Sequence, residues 1–380
     1  MQIKQIVVRK PAELATQVQA LNDFPADLLL VFAAVDYFKN ADLANVLRQV
    51  APKAALLGCS TAGEISPDGV DDATCVISAV RFGQSQLCQA ATELSSMEDS
   101  FAAGQRLGQQ LAGSTPAAIL LFGPGVQING SALVDGLASV VGREIPITGG
   151  LAGDGGAFQQ TFTLGNAGVS DRQVVAVALS GDTLSFGHGS FGGWEPFGPA
   201  RRVTRCVGNV LYELDGEPAL EVYKRYLGEH AKGLPASGLL FPFAMLGADH
   251  DAIGLIRTIL GVDEASGSLT LAGEINQDGY LKLMHASTDK LVNGAEAAAE
   301  AAAGMADNRG ESLAILVSCV GRKLVMGGRV DEEVEAVADV LGKNAVLTGF
   351  YSYGEISPFT PELLCKLHNQ TMTITCIGER

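Results

Sequence analysis

The chain has 380 residues, of which 47% are hydrophobic and 18% are charged, so its composition is that of a globular protein with two or three domains. A formal net charge of −16 argues against binding to nucleic acid or to acidic membrane surfaces, because phosphate groups would be repelled. The cysteines lack metal-binding or redox spacing, and neither a signal peptide nor a membrane-spanning run is present, which leads us to expect a cytoplasmic protein.

The first predicted unit surrounds the sequence GEISP at Gly63–Pro67. A continuous apolar run at Asp27–Ala34 has the length of a buried strand, and the stretch from Leu43 to Val50 has helical spacing. Residues 54–58 form a second apolar run before the motif, and residues 74–82 alternate as a strand with one buried face does. The order is therefore strand, helix, strand, motif loop and strand.

A related unit follows without the GEISP sequence. Ala117–Gly123 is predicted as a strand, residues 131–142 as a helix, and residues 173–181 as the closing strand. The loop after its second strand is rich in glycine and ends at Asp154, so an acid again follows the strand. The glycines allow close approach to a phosphate, but the loop lacks the lysine and the spacing of phosphate-binding motifs.

The middle of the chain has a different pattern, and we predict a domain boundary there. A turn at Asp215–Gly216 divides the sequence into an N-terminal domain, 1–215, and a C-terminal domain, 216–380. Gly273-Glu274-Ile275 weakly repeats the motif. An alanine-rich helix then begins at Ser287 or Thr288, and its composition suits a helix that covers a sheet.

The same order of elements returns around a second GEISP at Gly354–Pro358. Ser312–Cys319 is predicted as a buried strand, and a helix with acids in its first turn follows from residue 331. The repeats predict an α/β fold with two related halves, in which mixed and largely parallel sheets are covered by helices. The motif loops then leave the carboxyl ends of strands, where open α/β sheets bind their ligands.

Polar and aromatic side chains gather around the two motifs, and we predict a ligand site there. Glu64 and Glu355 occupy matching positions, and each could fix a turn, bind a ligand amine, or serve as an acid or base. Cys59 is either a reactive thiol or a small buried residue. A buried hydrogen-bond network is the alternative explanation for the cluster near the carboxyl terminus. The predicted ligand-binding residues are Cys59, Glu64, Tyr351, Tyr353, Glu355, His368, Asn369 and Thr371.

The five histidines include two candidates for a metal ligand. His368 lies within the predicted site, and His188 lies between glycines, near Phe191 and Trp194. A lone histidine in apolar surroundings suits haem iron, which can take a single protein ligand, although each could equally be an ordinary core or surface residue. Hydrolase and metalloprotease motifs are absent from the sequence, so we predict a protein that is not an enzyme.

Several of these stretches together resemble the FIST proteins, which are bacterial sensory proteins with a FIST N and a FIST C domain. The resemblance covers nearly the whole chain in the right order. The stretches are GCSTAGEI, GGLAGDG with FQQTFTLGN, GWEPFG, GFYSYGEI and LHNQT. It implies ligand sensing in signal transduction, with amino acids among the proposed ligands. The layout is also similar to the NosP-type haem proteins, which sense nitric oxide and modulate a partner histidine kinase in biofilm or cyclic-di-GMP control.

The resemblance implies a cytoplasmic sensor that binds haem and, through it, nitric oxide. Its partner would be a sensor histidine kinase or a cyclic-di-GMP enzyme, and the protein itself could form a homodimer. The alternative is a haem-free sensor of an amino acid or a similar metabolite. An enzyme with Cys59 or a glutamate as its reactive group is the least favoured of the three hypotheses.

Overall fold

The computed structural model describes residues 1–39, 42–247, 249–307, 310–359 and 364–380. One structural unit occurs three times along the chain, and each copy supplies four strands to its own six-stranded sheet. The unit consists of a strand, a helical segment, a strand, a second helical segment, a strand, a two-stranded ribbon and a closing strand. The predicted repeat is therefore present in three copies, each with one more strand and helical segment at its start.

The first two units follow one another directly along the chain. The first contains β1 (Gln2–Val8), α1 (Leu14–Gln17), β2 (Leu28–Ala33), α2 (Val35–Lys39), α3 (Leu43–Val50), β3 (Ala55–Ser60), β4 (Glu64–Ser66), β5 (Gly69–Asp71) and β6 (Cys75–Arg81). The second contains β7 (Gln86–Glu93), α4 (Ser100–Leu111), β8 (Ala118–Gly123), α5 (Gly130–Val141), β9 (Ile147–Leu151), β10 (Thr163–Gly165), β11 (Gly168–Ser170) and β12 (Gln173–Ser180).

A region with its own nine-stranded sheet is inserted into the third unit. After the unit's first strand, β13 (Leu184–Phe191), the inserted region spans residues 195–285 and forms a nine-stranded sheet with one helix. It contains β14 (Glu195–Pro196), β15 (Arg201–Val207), β16 (Val210–Leu214), β17 (Glu217–Pro218), α6 (Ala219–Leu227), β18 (Phe243–Leu246), β19 (Ala252–Arg257), β20 (Ile259–Asp263), β21 (Ser268–Leu271) and β22 (Tyr280–His285).

The third unit then resumes and runs to the end of the chain. It contains α7 (Thr288–Met305), β23 (Ser312–Cys319), α8 (Val320–Met326), α9 (Asp331–Leu341), β24 (Ala345–Ser352), β25 (Gly354–Phe359), β26 (Leu364–His368) and β27 (Met372–Glu379). The predicted boundary at Asp215–Gly216 falls in the turn between β16 and β17, which pair within the inserted sheet. The division of the chain at this point stays a prediction.

The units exchange their ribbons in a closed cycle. The ribbon β10–β11 of the second unit completes the first unit's sheet, in the order β1-β6-β2-β3-β10-β11. The ribbon β25–β26 of the third unit completes the second sheet, and β4–β5 of the first unit completes the third. Both GEISP sequences therefore lie in strands that belong to a neighbouring unit's sheet.

The α/β class, with mixed sheets, helices and internal repeats, is confirmed. Each six-stranded sheet contains one parallel pair, β2–β3, β8–β9 or β23–β24. Parallel pairing is thus less extensive than the sequence suggested. The closing strands β6, β12 and β27 each lie one position inside the edge of their sheet, because the first strand of each unit pairs along its closing strand.

Three phenylalanine rings meet in the core between the sheets. The centroid of the Phe32 ring lies 5.5 Å from that of Phe122 and 4.7 Å from that of Phe350, and the last two are 5.8 Å apart. Strand register places Cys59 and Gly150 at the positions equivalent to Phe350 in the other two units. Small residues at two positions therefore leave room for one large ring at the third.

Cys59 is part of this core. Its side chain is fully buried, and burial raises the pKa of its thiol well above the usual value. A buried thiol with a raised pKa is a poor nucleophile. The structure therefore favours the small-buried-residue interpretation of Cys59 over the reactive-thiol interpretation.

Candidate functional site

The strands β3, β9 and β24, which precede the three motif loops, are hydrogen-bonded to one another at their carboxyl ends. In three equivalent positions a backbone N–H just after one unit's strand donates to a carbonyl at the end of a neighbouring unit's strand. These bonds join Ala62 to Tyr351 at 2.8 Å, Gly153 to Ser60 at 2.8 Å, and Tyr353 to Leu151 at 3.1 Å. The cycle of bonds brings the loops that leave the three strands to the same end of the molecule.

A large cavity of about 1100 Å³ opens between these loops and the inserted region. All three units contribute to it, as the position of the loops at the carboxyl ends of the parallel strands leads us to expect. Its walls come from residues 34–36, 61–64, 72–73, 154–158, 233–236, 239, 259–260, 320, 323–324 and 327.

Lys323 on α8 is the one cation among the described residues that line the large cavity. Its Nζ donates to the carbonyl of Ala62 at 2.9 Å, pairs with Asp72 and lies 5.4 Å from the centre of the Tyr351 ring. Gly63 leaves room for it, because a Cβ there would lie 2.5 Å from Nζ. Since the Asp72 side chain is 73% exposed, this ion pair contributes little, and the Lys323 side chain, which is 18% exposed, lines the cavity.

Glu64 lines the cavity but is almost completely buried. Its carboxylate accepts from the hydroxyl of Thr61 and, at 2.8 and 2.9 Å, from the backbone and hydroxyl of Thr74. Burial raises the pKa of Glu64 to about 7, although these hydrogen bonds act in the opposite direction. The side chain ties the end of β3 to the start of β6.

Glu355 makes the same set of bonds in the third unit. It accepts from the hydroxyl of Ser352 at 2.6 Å and from the backbone and hydroxyl of Thr371 at 3.1 and 3.0 Å. Burial again raises the pKa of the carboxyl group to about 7. Two equal networks in two units support the turn-fixing interpretation of both glutamates.

The second unit departs from this pattern. Its residue at the position of Glu64 and Glu355 is Thr163, as the register of the exchanged ribbons shows. The sequence had suggested Asp154 as the counterpart of the two glutamates, and the strand register shows that this was wrong. Asp154 lies instead in a longer loop, residues 152–162, that only this unit has.

Asp154 organises the longer loop. Its carboxylate accepts from the N–H groups of Phe158, Gln159 and Gln160 at 2.8, 2.7 and 2.9 Å, and from the hydroxyl of Tyr353. The Tyr353 ring stacks on Phe158 with the ring centres 4.0 Å apart. A residue of the third unit therefore fixes the loop that forms one wall of the large cavity.

Replacing Tyr353 by phenylalanine tests this anchor. We expect the variant to lose about 1–3 kcal/mol of stability, because Asp154 loses a donor in a partly buried place. Urea unfolding measures the loss, and faster hydrogen exchange of the amides in residues 156–160 locates it. Tyr212→Phe is the control and should change stability by less than about 0.5 kcal/mol. Unchanged exchange in the loop would contradict the anchor.

A second cavity of about 340 Å³ lies beside the first and shares Phe158 and Leu260 with it. Of the predicted ligand-binding residues, Glu64 lines the large cavity, and Tyr353 and Asn369 line the second. The predicted site residues that line neither cavity are Cys59, His188, Tyr351, Glu355, His368 and Thr371.

Both candidate metal ligands are buried within the protein. His368 Nε2 lies 3.1 Å from the carbonyl of Ser357, and burial lowers the pKa of the imidazole to about 4. His188 lies in β13 beside Phe186, and burial lowers its pKa as well. Among the described residues, groups of three or more metal-binding side chains are absent.

The LHNQT stretch holds the inserted region against the third unit. Gln370 Nε2 donates to the carbonyl of Leu239 at 2.9 Å and to the hydroxyl of Thr258 at 3.0 Å. The carbonyl of Gln370 accepts from the indole N–H of Trp194 at 2.7 Å. Neighbouring residues of one short stretch therefore contact Glu355, the second cavity and the inserted region.

Sequence reasoning missed Lys323. It sits on a short helix just after the buried strand β23, so its place after a predicted strand was a usable signal. Asp36 lies on the helix that follows β2 and lines the same cavity. A search of the sequence for charged residues that directly follow apolar strands would have identified both Lys323 and Asp36.

The chain is similar to a short region of one curated protein and, more remotely, to a solved structure. A local match to an uncharacterized protein, MJ1623, of Methanocaldococcus jannaschii is 39% identical over 101 residues. It covers 25% of this chain and only 19% of the relative's length. A crystal structure of cyanuric acid hydrolase from A. caulinodans aligns over 100% of this chain and 99% of its own, with a TM-score of 0.39 and 9% identity.

Two domain families match in sequence order. The FIST N domain matches residues 27–217, and the FIST C domain matches residues 219–358. FIST domains are associated with signal-transduction sensors that bind small ligands. The chain therefore belongs to the FIST family, with a FIST N domain followed by a FIST C domain.

Proposed function

We propose that this protein is a sensor that binds a small zwitterionic metabolite, such as an amino acid, in the large cavity. The observation that carries the proposal is Lys323, the one cation among the described residues of a wall that otherwise carries carboxylates. A ligand carboxylate pairs with the Lys323 ammonium group, since charge-assisted hydrogen bonds are the stronger ones. The acids are Asp36, Glu64, Asp72 and Asp154.

The acidic side of the cavity suits the ammonium group of the same ligand. Asp36 is exposed at the start of α2, so it is accessible to a ligand, whereas the Asp154 carboxylate is occupied by its own loop. A volume of about 1100 Å³ exceeds what an amino acid needs, which leaves room for solvent or for closure of the loops. A non-enzymatic role is part of this proposal.

Replacing Lys323 by methionine is expected to weaken the ligand about ten- to hundredfold, because a charge-assisted hydrogen bond contributes roughly 1.5–3 kcal/mol. A thermal-shift screen of the amino acids identifies the ligand first, since a ligand of the native state raises the apparent melting temperature. The exposed Lys343 provides the control substitution, Lys343→Met, which should bind as the unchanged protein does. Equal affinity in all three proteins would contradict the proposal.

Haem fits these residues poorly. Among the described residues that line the two cavities there is no histidine or cysteine, and the imidazole of His368 is directed at a backbone carbonyl. After addition of haem to the purified protein, we expect a spectrum without the Soret shift of an imidazole-bound haem. A shifted Soret band that disappears in His368→Ala or His188→Ala would contradict this expectation and restore the haem hypothesis.

The signal would pass to a partner protein, and we propose a histidine kinase or a cyclic-di-GMP enzyme in the cytoplasm. The association of FIST domains with signal transduction supports a partner of this kind. Phe158, Leu260 and Leu324 are exposed at the cavity wall, where ligand binding would alter an apolar contact surface. None of the described helices is long and apolar enough to span a bilayer.

A further inference from the structure

We propose that the second cavity is a separate binding site for a small aromatic amine, a flat molecule that carries an N–H donor and a positive charge. The proposal goes beyond the metabolite site at Lys323, which lies in the large cavity. It depends on the chemistry of three parts of the wall, namely Asn369, the aromatic pair Tyr353–Phe158 and Glu274.

Asn369 supplies an acceptor that the protein leaves unused. Its side chain is 2% exposed, and its Nδ2 donates to the carbonyl of His368 at 2.9 Å. The Oδ1 atom is buried, and no hydrogen-bond partner for it occurs within the described part of the chain. Because buried polar atoms are nearly always paired, a ligand N–H group is the partner that this wall is built to accept.

Apolar groups surround this amide. Leu151 and Leu367 are nearly buried in the wall, and the stacked rings of Tyr353 and Phe158 form another part of it. Aromatic rings prefer offset stacking or edge contacts with other flat rings. The wall therefore suits a flat apolar body, and a volume of about 340 Å³ limits that body to one or two rings.

Charge decides which end group such a ring carries. Glu274 is the one charged side chain among the described residues of this wall, and Arg257, which interacts with it, is buried behind the wall, so the charge that faces the cavity is negative. The N-terminus of α5 also borders the cavity, but the Asn129 side chain accepts from its Ala132 amide at 3.0 Å. The Asn129 Nδ2 also lies 3.5 Å from the Glu274 carboxylate, so this helix end is already occupied.

Glu274 belongs to the weak repeat of the motif, Gly273-Glu274-Ile275. Unlike Glu64 and Glu355, it is exposed, and its carboxylate has only the long 3.5 Å contact with Asn129 among the described residues, whereas its carbonyl accepts from Arg257 Nε at 3.1 Å. A Cβ at position 273 would lie 2.8 Å from the same Nε atom, so glycine is required there. The backbone is therefore held while the carboxylate remains accessible to a ligand.

Calorimetric titration with tryptamine tests the site, because its indole N–H and its ammonium group match Asn369 and Glu274. Indole-3-acetate is the matched ligand control, since it has the same ring with a negative charge, and we expect it to bind at least tenfold more weakly. We expect Asn369→Leu to weaken tryptamine at least tenfold and Glu274→Gln to weaken it about fivefold. Glu229→Gln, on an exposed carboxylate, and Lys323→Met, in the large cavity, should leave tryptamine binding unchanged.

The proposal would be overturned by absence of tryptamine binding at millimolar concentration, by equal binding of indole-3-acetate, or by wild-type affinity in both Asn369→Leu and Glu274→Gln. If the buried Asn369→Leu variant does not fold, the exposed Glu274→Gln variant still decides, and wild-type affinity there overturns the proposal. Loss of tryptamine binding in Lys323→Met would place the amine in the large cavity and overturn it as well.

Discussion

Replacing Arg322 by methionine is expected to lower the free energy of unfolding by about 3–5 kcal/mol, because Glu333 would remain as an unpaired buried carboxylate. Both side chains are completely buried, and Arg322 Nη2 lies 2.7 Å from the Glu333 carboxylate. The same carboxylate accepts from the hydroxyls of Ser318 and Tyr351, at 2.8 and 2.5 Å. One ion pair therefore joins β23, β24, α8 and α9.

The guanidinium group also reaches the segment that leads into the inserted region. It donates to the carbonyl of Leu291 on α7 at 2.8 Å and to that of Gly192, which precedes the insertion. Lys323 is the next residue along α8. Loss of Arg322 should therefore loosen the wall of the large cavity as well as the third unit.

Two further variants separate charge burial from other effects. In the Arg322→Met background, Glu333→Gln removes the charge and keeps an acceptor for Ser318 and Tyr351, so we expect about half of the lost stability to return. Arg329→Met is the control, because that arginine is half exposed and pairs with exposed acids, and it should cost at most about 1 kcal/mol. Equal urea midpoints for Arg322→Met and Arg329→Met would show that the buried pair has no special weight.

The sequence predicted those parts of the fold that are buried on both faces. The runs at Leu28–Ala33 and Ser312–Cys319 are continuous and apolar because they lie inside their sheets. The first strands of the units were missed. For Gln2–Val8 and Gln86–Glu93 the reason is that edge strands are half exposed and mix polar with apolar residues. The exchange of ribbons was also beyond reach, since strands as short as Glu64–Ser66 carry no information about their partner.

The candidate site, like the fold, could be predicted from the sequence only in part. Repetition drew attention to Glu64 and Glu355, yet it could not distinguish a turn-fixing acid from a ligand-binding one. That distinction depends on Thr74 and Thr371, which lie ten and sixteen residues further along the chain. Asn369 was found through its polar neighbours. Lys323 was not, because a single lysine after a strand becomes significant only when three units bring their loops together.

The two buried glutamates should make the protein less stable as the pH rises from about 4.5 to about 7. Each carboxyl group has an ordinary pKa of 4.5, and burial raises the pKa to about 7 in the folded protein. Between these values the folded state binds more protons than the unfolded state, so stability falls with increasing pH. The full contribution is present below pH 4.5, is lost by about pH 7, and amounts to roughly 3 kcal/mol for each group.

Glu355→Gln isolates one of these contributions. Glutamine can still accept from the Thr371 amide and can donate to the Ser352 hydroxyl, so the network survives without a charge. The difference in unfolding free energy between the unchanged protein and the variant should fall by roughly 3 kcal/mol from pH 4.5 to pH 8. His188 and His368, whose pKa values are lowered, act in the opposite direction, but they cancel in this difference. A constant difference, as expected for the exposed control Glu229→Gln, would contradict the burial effect.

Ligand binding should then distinguish the two glutamates, because only Glu64 lines the large cavity. A ligand ammonium group paired with Asp36 adds positive charge to the cavity that Glu64 also lines, which favours the charged form of Glu64 and lowers its pKa, so binding at pH 7 should release a fraction of a proton. Titration calorimetry in buffers of different ionisation enthalpy measures this release once the amino-acid ligand is identified. We expect the release to disappear in Glu64→Gln and to persist in Glu355→Gln. Release that is equal in both variants would show that the ligand's ammonium group lies too far from Glu64 to change its pKa, and would contradict this prediction.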